Sequence, residues 1–172
     1  RGHLDALLPQ RSKVAPVRHH PALPWKELPA FMGQLRLRPG IAPMALTFVI
    51  LTACRVSEAV NARWDEFDLA QGIWTIPAER MKARRMHRVP LSAQVLEILR
   101  ALQKIKSGDF LFPGWSQTKP LSIAGPLRVL HDMDRYDLTV HGFRSSFRVW
   151  VAEATDFPRE LAEAALAHVV KD

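Results

Sequence analysis

The sequence predicts a mainly helical domain built around a small antiparallel β-sheet, an α+β fold. Three observations carry that expectation. Val95, Leu96, Leu99, Leu102 and Ile105 form an apolar stripe at helical spacing. Met44 to Thr52 is nearly all apolar and reads as a helix buried on every side. Ile73 to Pro77 and Arg85 to Leu91 each place apolar residues at every second position, with a polar, basic segment between them, which is the pattern of a β-hairpin. The 172 residues suit one domain, or one domain with a short appended arm.

Taken in order, residues 1 to 24 read as an interdomain linker or N-terminal arm, and 25 to 172 as the domain. Seven prolines between Pro9 and Pro43 argue against long helices at the start. Arg11, Lys13, Arg18, His19 and His20 could lie along a phosphate backbone or could simply be solvated. Trp25, Leu28, Phe31, Met32 and Leu35 give a short helix one buried face. Pro43 belongs in the first turn of the next helix, where its missing N–H is harmless. Val56, Ala59, Val60 and Arg63 predict a further helix to Trp64, and a short strand near Phe67 to Leu69 would make the sheet three-stranded. Ser92 is an N-cap candidate for the striped helix, which Gly108 ends. Phe110 to Phe112 reads as a buried piece. Further helices are expected over Ile123–Met133, over Val140–Ala152, and after Asp156, with Pro158 in the last one's first turn.

Composition narrows the classes. With 48% apolar and 24% charged residues, a mainly disordered chain is excluded. Ile41 to Ala53 is too short to span a bilayer and runs into Arg55. One cysteine excludes a disulfide scaffold, and Cys54 alone defines no metal site. A net charge of +7 permits a nucleic-acid partner without demonstrating one. The chain starts at Arg1 and stops at Asp172 just after a helical pattern, so both ends look cut. No targeting peptide is evident, which makes the cytoplasm the expected location.

Two local features go beyond composition. Arg80, Lys82, Arg84, Arg85 and Arg88 fall within nine residues, and no Asp or Glu occurs from Arg80 to Gln94. A hairpin carrying that run presents a positive potential suited to DNA or RNA phosphates, or else a solvated, solubilising face. The second feature is His141-Gly-Phe-Arg144. Its His and Arg share one face of a helix start, with Phe143, Phe147 and Trp150 as anchors behind them. Orphan N–H groups at a helix start favour an anion.

With these segments in view, the chain resembles the catalytic domain of a tyrosine recombinase of the phage and genomic-island integrase type, a DNA breaking-and-rejoining core. Thr52-Ala-Cys-Arg-Val-Ser-Glu58 is similar to the family's Thr-Gly-x-Arg-x-x-Glu segment. Trp74 to Pro77, Met81-Lys82 and His87 to Ser92 resemble the hairpin that carries the catalytic lysine. Thr139 to Arg144 resembles the His-x-x-Arg box, and Leu166-Ala-His168 the Leu-Gly/Ala-His box. The order matches, with 27 residues from Arg55 to Lys82, 59 from Lys82 to His141 and 24 from Arg144 to His168. The site residues this resemblance implies are Arg55, Lys82, His141, Arg144 and His168. Arg55 and Arg144 would clamp the phosphate, His141 and His168 would be further ligands, and Lys82 would protonate the departing 5′-oxygen. Glu58 would either orient the pocket or form a surface ion pair.

The resemblance also implies site-specific integration through a 3′-phosphotyrosine, double-stranded DNA attachment sites as partners, and neither cofactor nor metal nor membrane. The full-length protein would assemble as a tetramer on two duplexes, and the fragment alone would be monomeric. Two departures stand out. Ala53 occupies a position where the family often has Gly, which matters if the backbone there needs a positive φ. The family's nucleophilic tyrosine follows the last histidine box by roughly ten residues, yet the sole tyrosine here, Tyr136, precedes His141. The alternative reading is a non-catalytic DNA-binding module, or a decayed prophage integrase that keeps the fold.

Overall fold

The computed structural model describes residues 21–168. The basic candidates at Arg11, Lys13, Arg18, His19 and His20 lie outside the described residues. After a 3₁₀ turn at Trp25–Glu27, the elements are α1 (Leu28–Arg36), α2 (Ile41–Thr52), α3 (Val56–Val60), β1 (Phe67–Asp68), β2 (Ile73–Ile76), β3 (His87–Pro90), α4 (Ala93–Lys104), α5 (Gly125–Asp132), α6 (Gly142–Ala154) and α7 (Arg159–Ala165). The chain is mostly helical with one three-stranded antiparallel sheet, β1-β2-β3. No helix among the described residues is long and apolar enough to cross a membrane.

The apolar helix α2 forms the axis of the core. Residues Ala45 to Ile50 are all buried, and α1, α3, α4 and α5 pack around it. Gly40 precedes it at φ +109, and Pro43 sits in its first turn as expected. The hairpin aligns Trp74 with Val89 and Ile76 with His87, so period-2 alternation puts Trp74, Ile76 and Val89 inward. Phe48 of α2 meets Trp74 and Phe112 edge-on, with ring centroids 5.2 and 5.4 Å apart.

The boundaries differ where tertiary pairing outcompetes local pattern. α3 stops at Val60 because the next residues pair with a distant segment. Leu111 N donates to Ala62 O at 2.8 Å, Trp64 N donates to Asp109 O at 2.9 Å, and Arg63 bridges Phe110. Ser92 caps α4 through Val95 N. Ile105 falls just past that helix and is exposed, while Val95, Leu99 and Leu102 are buried. Pro158, not Asp156, is the N-cap of α7. On α6 the inward large apolar residues are Phe143 and Val151, alongside buried Arg144 and Ser146, and Trp150 is 38% exposed. Tyr136 is exposed too, its ring stacked on His131 at 4.9 Å.

Residues 21–24 pack onto α6. Leu23 is in the core, and its carbonyl accepts from the Ser146 hydroxyl. A Cβ on Gly142 would collide with the Pro21 carbonyl oxygen, so only glycine lets this segment cross the start of α6.

Candidate active site

Three chain reversals bring the site together. At the first, α2 ends at Ala53 in the left-handed conformation, φ +51. That position therefore does require the positive φ at which glycine is the unstrained residue. The turn leads directly to Arg55, the N-cap of α3. Glu58 Oε2 accepts from Arg55 N at 2.8 Å, and Glu58 Oε1 takes Arg55 Nη1 at 2.7 Å. Glu58 is 3% exposed, so this carboxylate orients Arg55 from inside and is no surface ion pair. Cys54, the residue before Arg55, is buried, and burial pushes its thiol up to about 12. It stays a neutral, unreactive thiol.

The second reversal leads into α6. Thr139 Oγ1 accepts from Gly142 N at 3.0 Å, and the His141 carbonyl accepts from Arg144 N at 3.1 Å. His141 is the exposed N-cap residue, and Arg144, one turn later, points inward and is 4% exposed. The guanidinium of Arg144 ties the site together. Nη1 donates to the carbonyl of Ala53 and Nη2 donates to the carbonyl of Leu166 at 2.7 Å. Nη2 also lies 3.2 Å from His168 Nε2. Nε is buried without a hydrogen-bond partner among the described residues. Burial, and next the nearby Arg55 charge, hold Arg144 below its ordinary pKa.

The third reversal follows α7. Ala167 adopts φ +50, Ala167 N donates to Ala164 O at 2.9 Å, and His168 N donates to Glu163 O at 2.9 Å. This bond pair is the Schellman motif, and it folds His168 back toward Arg144.

The structure thus joins Arg55, Arg144 and His168, places His141 at the adjoining helix start, and keeps Lys82 apart. Lys82 is exposed on the turn before β3 and makes no hydrogen bond or ion pair among the described residues. Within the basic run, Arg84, Arg85 and Arg88 are likewise exposed. Arg80 is the exception. It turns inward to Glu66, which also takes Trp74 Nε1 at 2.9 Å, and it donates to the Glu58 carbonyl. Arg80 braces the hairpin against α3 and is not one of the exposed cations of the turn.

Two site neighbours escaped the sequence reading. His87 is half-buried beside Glu58, Arg144 and Arg55, with the Ala165 backbone as a hydrogen-bond partner. Burial, the largest influence, lowers its pKa from the ordinary 6.5. Its signal was the strand alternation itself, since His87 shares a face with Val89 and Leu91. Glu163 holds His168 through Nδ1 at 2.6 Å, a contact made only by the reversal after α7. A groove of about 720 Å³ between α1, α2 and α4 shares no residue with this cluster.

The chemistry of the cluster follows from its charge. Two guanidiniums share one buried carboxylate, Glu58, which is taken by Arg55. Arg144 is left with carbonyls and a histidine. A buried cation without a counter-ion is costly, and an anion with several oxygens would satisfy it.

A family model described as the phage integrase family matches residues 26–171. Prophage integrase IntZ of Escherichia coli K12 is 39% identical over 158 residues, covering 89% of this chain and 39% of the relative. The integrase of Enterobacteria phage P4 is 35% identical over 171 residues, covering 88% of this chain and 39% of that protein. This chain therefore spans about two fifths of the length of these relatives. Among solved structures, a lambda integrase dimer bound to a COC′ core site aligns with a TM-score of 0.69 at 20% identity, over 99% of this chain and 64% of that one. The Tn1549 transposon integrase, in complex with a circular intermediate DNA, aligns with a TM-score of 0.74 at 12% identity, over 94% and 63%. At those identities the likeness is one of fold.

Proposed function

The chain belongs to the phage integrase family, and from that premise we propose that it forms the phosphate-activating pocket of a site-specific DNA recombinase. The observation that carries this reading is the buried guanidinium of Arg144, which has no carboxylate partner among the described residues and lies beside a second arginine. A scissile phosphodiester supplies the missing negative charge. Both arginines can fork around its non-bridging oxygens, and that attraction grows as attack on phosphorus moves charge onto them. His141 and His168 add ligands around the same group. Lys82, free on its exposed turn, delivers a proton to the leaving 5′-oxygen once DNA covers it.

The attacking group is a tyrosine supplied from outside these 172 residues, because Tyr136 stacks on His131 on the surface. Its phenolate oxygen bonds to phosphorus, the 5′-oxygen departs with the proton from Lys82, and a 3′-phosphotyrosine forms. Attack by a 5′-hydroxyl reverses these steps and frees the tyrosine, so the phosphodiester energy is conserved and no nucleotide is consumed. DNA attachment sites are the substrate, a tetramer on two duplexes is the working assembly, the 172-residue chain alone is a monomer, and the bacterial cytoplasm is the location. The lambda and Tn1549 integrase complexes support the DNA part of this reading by fold.

The test uses a suicide DNA substrate and a full-length protein that contains these residues. Arg55→Ala and Arg144→Ala are expected to abolish the covalent adduct while most DNA binding remains. Adduct formation by either variant at the wild-type rate removes that arginine from the clamp. Binding without any adduct, even in the unsubstituted protein, would select the non-catalytic module instead.

A further inference from the structure

His168 reaches Arg144 only because of what stands behind it. Glu163 holds it twice: its backbone carbonyl accepts from His168 N at 2.9 Å, and its Oε2 lies 2.6 Å from His168 Nδ1. The other carboxylate oxygen, Oε1, takes Arg148 Nη2 at 2.8 Å and Arg159 Nε at 3.7 Å. Arg148 sits one turn after Arg144 on α6. The side chains thus run in sequence from Arg148 through Glu163 and His168 to Arg144, closing a ring across the α6–α7 contact.

The donor and acceptor roles in that ring are forced. An ionised carboxylate only accepts, so the shared proton belongs on Nδ1. A guanidinium only donates, so Nε2 presents its lone pair to Arg144. The hydrogen bond from His168 is the largest influence holding the Glu163 carboxyl below the usual carboxylate range, so Glu163 remains an anion well into acid.

We infer that Glu163 is the positioning residue of His168, fixing its ring orientation and its Nδ1–H tautomer so that Nε2 faces the phosphate site. The inference rests on the reading of His168 as a phosphate ligand. When a phosphate oxygen arrives, Nε2 takes a proton from solvent and becomes its donor, and the carboxylate behind the ring balances the added charge. Arg148 is the staple between the two helices, and Glu163 is the group that acts on the histidine.

Nitrogen NMR of the His168 ring in the 172-residue chain separates these roles. The unsubstituted protein is expected to show the neutral ring with its proton on Nδ1. In Glu163→Ala the ring loses the anchor that holds it against Arg144 and turns away from it, and the Nε2–H form, the commoner one for free imidazole, takes over. Arg148→Ala removes the staple, lowers the melting temperature, and leaves the tautomer unchanged. Retention of Nδ1–H in Glu163→Ala, or an equal change in Arg148→Ala, overturns the inference. In a full-length protein that contains these residues, Glu163→Ala is expected to slow cleavage on the order of 10- to 100-fold at unchanged DNA affinity, the loss usual for the carboxylate behind a functional histidine. Unchanged cleavage would overturn the role in the reaction. If the unsubstituted protein fails to cleave, the recombinase reading falls, and the tautomer result still decides whether Glu163 positions His168.

Discussion

Ala167 and Ala53 hold the left-handed conformation at the two turns that deliver His168 and Arg55, at φ +50 and +51. An alanine there is strained by roughly 1–2 kcal/mol, because Cβ crowds the following carbonyl. Glycine removes that strain but gives the unfolded chain more freedom, about 0.5–1 kcal/mol against folding. Ala167 is only partly buried, so deleting its methyl forfeits little contact, and Ala167→Gly is expected to gain about 0.5 kcal/mol. Ala53 is 4% exposed, and its lost methyl burial of about 0.8 kcal/mol brings Ala53→Gly close to neutral. Ala152, exposed on right-handed α6, provides the control. Ala152→Gly has no strain to relieve and should lose about 1 kcal/mol. The same atoms are deleted each time, so the unfolded-state contribution cancels between variants. Ala167→Gly should exceed Ala152→Gly by about 1–2 kcal/mol, several degrees of melting temperature at roughly 2–4 °C per kcal/mol for a chain of this size. Urea denaturation with a common m-value gives the comparison directly. If Ala167→Gly fell as far as Ala152→Gly, the turn would be unstrained and the account of both reversals would be wrong.

Arg144→Lys preserves charge but loses the planar fork that serves Ala53, Leu166 and His168; with at least one buried acceptor orphaned, a loss of about 1–3 kcal/mol is expected in denaturant titrations. The pH dependence involves His87. Its folded pKa lies below the ordinary 6.5, so as pH falls through about 6.5 the unfolded chain protonates first and stability drops, until the folded ring also protonates. His87→Gln should flatten that part of a melting-temperature profile, and an unchanged slope would assign it to another group. DNA binding should weaken with salt and depend little on sequence. Replacing the exposed Arg84 and Arg85 together by alanine should reduce the slope of log K against log salt by up to about 2, measured by fluorescence anisotropy.

The helical stripes, the hairpin and the buried α2 were readable because burial on one face imposes a period of 3.6 or 2 on the residues themselves. Arg55, Arg144 and His168 were singled out by the resemblance of their segments to the family's boxes, and the structure brings the three side chains together. Arg80 was misplaced because a basic run carries no mark of which member turns inward; Glu66 and the Glu58 carbonyl decide that, from outside the run. The end of α3 was misplaced for a similar reason. Its continuation satisfies helical spacing, but Ala62 and Trp64 find backbone partners some 45 residues away.

By itself the sequence determined the fold class, since local periodicity is a property of the chain, and its resemblance to a family supplied the order of the boxes and the candidate phosphate ligands. Only the tertiary structure decided that Arg144 is buried without a carboxylate, that Glu58 is spent on Arg55, and that Glu163 stands behind His168. The Arg144 contacts form across elements, and the Glu58–Arg55 and Glu163–His168 contacts, three and five residues apart, form at left-handed turns whose backbone angles alanine does not announce. The charge balance of the site exists only once the three reversals have closed around it.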